Sequence, residues 1–200
     1  MNNVITSKFC TREYHGYNIK FSPFKKNLLA CAASENYGIT GKGKLFVLDV
    51  QSGKAEVNVL TTRDWPEGLY DVTWSELNPN LLVTSCCDGS IQIWDYLNSH
   101  APVAYYKIHE KEVYSVDWNP QNAFPYILSA SWDNTIKVWN PFQAREIASF
   151  LEHTDQVYEA CWSRCGPEIF ASVAGDRLYV MDIGTKTSVA YPLNRNLCCD

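Results

Sequence analysis

Basic residues are scarce in this 200-residue chain: 17 Lys and Arg stand against 22 Asp and Glu, a formal charge of −5. Nucleic-acid binding needs a positive patch that displaces counterions from phosphate, and no basic cluster supplies one. Long apolar runs are missing too. No stretch approaches the ~18 apolar residues of a membrane-spanning helix, so no direct membrane insertion is expected. The opening MNNVITSKFCTREY lacks the apolar core of a signal peptide, which points to a protein made and kept in the cytosol. Eight cysteines are present, but none forms a CxxC and no His stands at finger-like spacing. Cys86/Cys87 and Cys198/Cys199 are adjacent pairs, Cys161 and Cys165 lie four apart, and Cys10 and Cys31 stand alone. Reduced thiols packed in strands are expected, with no metal and no cofactor. No 12-residue window sustains an amphipathic helical stripe.

Aromatic residues are abundant at 14%, with seven Trp and twelve Tyr, as strand-rich folds use them. They recur in register. Trp74, Trp118 and Trp162 are 44 residues apart, and Asp49, Asp95, Asn140 and Asp182 close four units at intervals of 46, 45 and 42. Asp88, Asp133 and Asp176 mark one shared turn. Within a unit, short alternating runs such as VYSVDW (113–118), YILSAS (126–131) and TIKVW (135–139) are divided by Asn-Pro, Asp-Gly and Asp-Asn pairs. That pattern predicts antiparallel hairpins, and a fixed period of this length predicts a repeat architecture.

The units resemble WD40 repeats, with IWD at 93–95, VWN at 138–140 and VMD at 180–182. The resemblance implies an all-β propeller whose blades have four strands each, arranged radially around a channel. Four blades are expected, at about 14–49, 65–95, 109–140 and 153–182, with 183–200 starting a fifth. The NLCCD ending reads as a first strand stopping before its expected Trp.

His109, Ser129 and Asp133 invite a hydrolase reading. Partial copies at blade spacing argue otherwise: Trp65, Thr84, Asp88 and Trp94 in the second unit, and His153, Ser172, Asp176 and Met181 in the fourth. A catalytic triad has no reason to recur partly eroded. The WD40 resemblance implies instead that His109, Ser129, Asp133 and Trp139 form a buried hydrogen-bond network, so no enzymatic activity is expected. Gly38 to Lys44 nearly matches a phosphate-binding loop, but Leu45 stands where its hydroxyl residue belongs, and a strand follows rather than a helix.

Propellers of this family bind peptides on the face where the lead-in segments meet the inner strands. The position four before the first-strand Trp, or before Phe21 in the first unit, is a tyrosine in every unit: Tyr17, Tyr70, Tyr114 and Tyr158. The position six before gives His15, Gly68, Glu112 and Gln156, and Cys87, Trp132 and Gly175 precede the turn aspartates. Good strand residues alone would account for the tyrosines, but Tyr also suits a binding surface, with a large apolar body and a polar tip. The lead-in segments 11–17, 63–71, 109–114 and 152–159 hold nine acidic residues and three basic ones. An acidic, aromatic face favours a basic amphipathic peptide.

Three stretches carry a closer resemblance: GYNIKFSPFKKNLLACAASENYGITGKGKLFVLD (16–49), DWPEGLYDVTWSE (64–76) and HEKEVYSVDWNP (109–120). They are similar to receptors for the type 2 peroxisomal targeting signal, and ENYGITGKG is not generic WD40 sequence. The resemblance implies a soluble cytosolic receptor, cycling to the peroxisome, that binds an N-terminal helical signal together with an import co-receptor and delivers cargo for import. Glu67 and Glu112 would then pair with the signal's basic residue, and Tyr17, Tyr70, Tyr114, Trp132 and Tyr158 would pack on the helix. The family has about seven blades, so this chain reads as a shortened form. A general WD40 scaffold or substrate adaptor is the alternative reading, and an enzyme built on a propeller is the third.

Overall fold

A computed structural model describes residues 8–50, 57–121 and 125–193. They form four antiparallel sheets of four strands, each a simple meander. The first contains β1 (His15–Phe21), β2 (Leu28–Ser34), β3 (Gly43–Val50) and β4 (Val57–Trp65). The second contains β5 (Leu69–Trp74), β6 (Leu81–Cys86), β7 (Ser90–Asp95) and β8 (Ala104–Lys107). The third contains β9 (Val113–Trp118), β10 (Ile127–Ser131), β11 (Ile136–Asn140) and β12 (Arg145–Phe150). The fourth contains β13 (Val157–Trp162), β14 (Ile169–Ala174), β15 (Arg177–Asp182) and β16 (Thr187–Pro192).

The repeated residues have local causes. The Asp or Asn ending the third strand caps the turn that follows: Asp95 Oδ1 accepts from the Leu97 and Asn98 N–H groups at 3.1 and 3.0 Å. Asn140 does the same for Phe142 and Gln143, and Asp182 for Gly184 and Thr185. At the end of each inner strand, Ser22, Ser75, Asn119 and Ser163 cap the next turn in the same way.

Each sheet packs face to face on the next. Ala30, Ala32, Leu45 and Val47 of the first sheet meet Leu69, Trp74, Leu82 and Trp94 of the second. Val83, Ile91 and Ile93 meet Val116, Trp118 and Ile127, and Leu128, Ile136 and Val138 meet Trp162, Phe170 and Met181. Alternation in the inner strands of the second and third sheets therefore feeds two cores, one on each side. Polar bridges stitch neighbouring inner strands: the Trp74 indole donates to Lys20 O at 3.0 Å, and the Val116 and Trp162 N–H groups donate to Asp71 and Asp117 at 2.8 Å.

The sheets extend beyond the units read from the sequence. Each gains an outer strand, and Trp65, placed above at the start of the second unit, ends β4 of the first sheet. Residues 187–192, assigned above to a fifth unit, pair with β15 as the edge strand β16. Strand pairing decides this, because β15 would otherwise leave its backbone groups unpaired along one side. The rest of the expected fifth-blade strand, with Cys198 and Cys199, lies outside the described residues. Cys10, Cys31, Cys86, Cys87, Cys161 and Cys165 are free thiols.

Candidate functional site

The inner strands bring the four tyrosines together. Tyr17 and Tyr70 have ring centroids 5.0 Å apart, Tyr70 and Tyr114 5.1 Å, and Tyr114 and Tyr158 5.7 Å. Trp132, from the turn between β10 and β11, stacks on Tyr114 at 5.2 Å with nearly parallel rings and meets Tyr158 edge-on at 5.9 Å. The result is a continuous aromatic row across four sheets. Equal strand register produces it: each tyrosine occupies the same place near the start of an inner strand.

A cavity of about 520 Å³ opens over this row, lined by Tyr17, Tyr37, Gly38, Ile39, Tyr70, Cys87, Glu112, Tyr114 and Trp132. Glu112 is half-buried at its edge, and its backbone carbonyl accepts from the Trp132 N–H at 3.0 Å, which holds the two segments together. Glu67 is exposed nearby, 4.0 Å from the Cys87 sulfur. Tyr158 is exposed at the far end of the row. Burial, followed by the Cys87 thiol and Tyr17, raises the Tyr70 phenol, so it stays a neutral donor. The thiol of Cys86 beside Cys87 holds the latter below the usual range.

Three expectations for this face change. Tyr70 is only 8% exposed, because its hydroxyl donates to Gly38 O at 2.8 Å from the segment between β2 and β3. Asp71 belongs to the interior: it accepts from Asn18 Nδ2 and from the Val72 and Val116 N–H groups. Burial, with Glu159 adding to it, pushes its carboxyl up to about 7 against those hydrogen bonds. Arg63 is buried as well, donating to the Tyr96 and Ser99 carbonyls at 2.9 and 2.7 Å.

The Ser-His-Asp constellation exists in space. His109 Nδ1 lies 2.9 Å from Asp133 Oδ2, and Nε2 lies 2.8 Å from Ser129 Oγ. Ser129 has no exposed surface and its hydroxyl donates to Lys137 O at 3.3 Å, so no acyl group can reach it. The Glu110 and Thr135 N–H groups also donate to Asp133. Burial works to raise the Asp133 carboxyl, but the bonds from His109 and Thr135 outweigh it and hold it well below the usual range.

Trp139 is not in this network: its buried Nε1 has no hydrogen-bond partner. In the second sheet the equivalent indole does bond: Trp94 Nε1 donates to Thr84 at 2.9 Å, Thr84 to Gln92 at 2.7 Å, and Gln92 to Ser90 at 2.6 Å. Ser90 then reaches Asp88. Sequence reasoning missed Gln92; a polar residue in mid-strand was the available signal. In the fourth sheet His153 reaches Ser172 at 2.9 Å, but Asp176 is 71% exposed at its side chain and takes no part.

The WD domain, G-beta repeat family model matches residues 57–95 and 101–140. The chain is 44% identical over 158 residues to the peroxisomal targeting signal 2 receptor of Mus musculus, covering 79% of this chain and 49% of the relative. It is 39% identical over 136 residues to the receptor of the same name from Saccharomyces cerevisiae, covering 67% and 35%. Against the Arabidopsis thaliana peroxisome biogenesis protein 7 the identity is 38% over 128 residues, covering 63% and 40%. The chain thus spans about half the length of the mouse relative and less of the other two. A chain in a crystal structure of the mitotic checkpoint complex superposes with a TM-score of 0.76 at 16% identity, over 92% of this chain and 53% of that one, a likeness of fold. With four-stranded sheets in meander order and repeats in register, the chain has the fold of a WD40-repeat β-propeller, carries matches to the WD domain, G-beta repeat model, and is similar to the peroxisomal targeting signal 2 receptors.

Proposed function

We propose that this chain carries the signal-binding face of a receptor for the type 2 peroxisomal targeting signal. The receptor takes up cargo in the cytosol through an N-terminal helical signal, with an import co-receptor, and cycles to the peroxisome to deliver it for import. No helix among the described residues is long and apolar enough to cross a membrane. The role is one of binding and requires no catalytic group. The observation that carries the proposal is the unbroken row of Tyr17, Tyr70, Tyr114, Trp132 and Tyr158 with Glu67 and Glu112 beside it. Aromatic rings give a helix an apolar bed, and carboxylates at the rim select a basic one. The similarity to the mouse receptor, over 79% of the chain, supports the same reading.

The test is binding of a fluorescent type 2 signal peptide to the full chain. Reversing both Glu67→Lys and Glu112→Lys should weaken binding by about tenfold or more, with an unchanged melting curve. Unchanged affinity removes these carboxylates from the site.

A further inference from the structure

The segment Glu35–Lys42 between β2 and β3 replaces the tight turn that the other three sheets use at this corner. It is held in an unusual shape. Asn36 and Tyr37 are both left-handed, at φ 45° and 56°, and Gly38 follows at 69°. Two successive non-glycine residues in that region are unfavourable and persist only when the surroundings over-determine them. Here they are over-determined. Glu35 N–H donates to Lys42 O, and Lys42 N–H donates to Glu35 Oε2, each at 2.9 Å. Tyr17 donates to Tyr37 O, and Tyr70 donates to Gly38 O. The Tyr37 ring stacks on His15 with centroids 3.8 Å apart.

Close approach to the tyrosine row requires glycine. A Cβ on Gly38 would stand 2.4 Å from the Tyr70 ring and 2.9 Å from the Tyr17 hydroxyl. Gly68 permits the same approach from below, since a Cβ there would lie 3.3 Å from Gly38 Cα. The segment therefore rests directly on the row, and its shape leaves Tyr37 68% and Ile39 83% exposed along the cavity over Tyr17, Tyr70 and Trp132. With both hydroxyl protons engaged by the segment, Tyr17 presents mainly its ring to a ligand, while Tyr70, only 8% exposed, backs the row.

We infer that Tyr37 and Ile39 form a second wall of the peptide groove and receive an apolar side chain of the bound helix, opposite Trp132 and Glu112. The inference rests on the proposed function and deepens it. Rings form the floor, a carboxylate marks one wall, and an aliphatic and aromatic pair marks the other, which matches a helix with basic and apolar residues on adjoining faces.

The experiment is a double-mutant cycle on the full chain, with a labelled type 2 signal peptide and peptides in which each apolar residue in turn is alanine. Ile39→Ser should weaken binding of the parent peptide about tenfold while leaving the melting curve unchanged, because Ile39 is on the surface. For one alanine peptide the same substitution should have no further effect, which identifies the side chain received. Gly38→Ala should reproduce the loss by lifting the segment off Tyr70. Equal binding of every peptide by the wild type and Ile39→Ser overturns the second wall and leaves the proposed receptor function standing. No binding of the parent peptide by the wild-type chain overturns that function, and the inference with it.

Discussion

The second and third sheets meet the same problem at the same corner with different chemistry. In the third, an imidazole links the lead-in segment to the hairpin, with His109 bridging Asp133 and Ser129. In the second, Trp65 stands where the histidine would be and packs edge-on against Trp94 at 5.9 Å. The link there runs from Trp94 through Thr84, Gln92 and Ser90 to Asp88. Topology sets the need, since a buried polar atom left unpaired at this corner costs stability, although the Trp65 and Trp139 indole nitrogens are left so. It leaves open whether the pairing is centred on an imidazole and a carboxylate or runs through amide, hydroxyl and indole groups.

The most damaging way to break the comparison is Asp133→Ala. It removes the acceptor of His109, of Thr135 and of the Glu110 N–H together, and leaves the buried imidazole without its carboxylate partner. Stability should fall by about 3 kcal/mol in urea denaturation. The folded carboxyl titrates below its unfolded value, so its contribution is complete above the ordinary carboxylate range and is lost as pH falls through the folded value. The gap between wild type and Asp133→Ala should therefore narrow below about pH 4. A normal midpoint at neutral pH would show that the corner braces nothing.

Thr84→Val is the matching cut in the second sheet. The shape is kept, but the Trp94 indole and the Gln92 carbonyl lose their shared partner in a fully buried place. The expected loss is about 2 kcal/mol, largely recovered by Thr84→Ser. Its size should be the same at pH 3 and pH 7. If it shrinks in acid as the Asp133 gap does, the contrast between the two corners fails.

What was legible in the sequence follows from the same physics. Trp74, Trp118 and Trp162, and Asp95, Asn140 and Asp182, recur because the second to fourth sheets need the same packing residue and the same turn cap. The outer strands β4, β8, β12 and β16 were not legible as part of their units, because edge strands bury little and so carry weak alternation. The imidazole corner could be read because its residue types announce their chemistry. The Gln92 corner was missed, since its one signal, a polar residue in mid-strand in SIQIWD, does not by itself say that the side chain points into the core. Asp71 read as a surface acid for the opposite reason: only the fold brings Asn18 and the Val116 N–H to it. The tyrosine row was visible as spacing, whereas the ENYGITGKG segment stood out as unusual without showing that Tyr37 and Ile39 lie over the row.

Asp71 extends the contrast to a carboxylate that shares the interior without an imidazole. Its folded value, about 7, lies above the unfolded one, so stability is complete below the ordinary carboxylate range and declines as pH rises through about 7. Asp71→Asn keeps an acceptor and cannot titrate. Between pH 4 and 7 its stability should decline less steeply than that of the wild type, the opposite of the acid behaviour at Asp133. At neutral pH the relieved desolvation opposes the weakened acceptor, and the net change should be about 1 kcal/mol or less. An unchanged slope would mean that Asp71 is charged throughout.

Asp176→Ala gives the smallest expected effect and isolates what distinguishes the third corner from the fourth. The sequence puts Asp176 at the same turn as Asp133. In the fourth sheet Ala174 pairs directly with Arg177, so Gly175 and Asp176 alone make the turn. The third sheet spends one residue more: Ala130 pairs with Ile136, and the Ser131 N–H donates to Thr135 O. The longer turn folds Asp133 back onto His109, whereas the shorter one points Asp176 outward, 3.9 Å from the Arg177 guanidinium. An exposed pair of that kind contributes little, and the loss should stay within about 0.5 kcal/mol. Inserting one residue after Asp176 should then bring the carboxylate toward His153 Nδ1, which has no hydrogen-bond partner. A loss on Asp176→Ala as large as that on Asp133→Ala would show that turn length is not what separates the two corners.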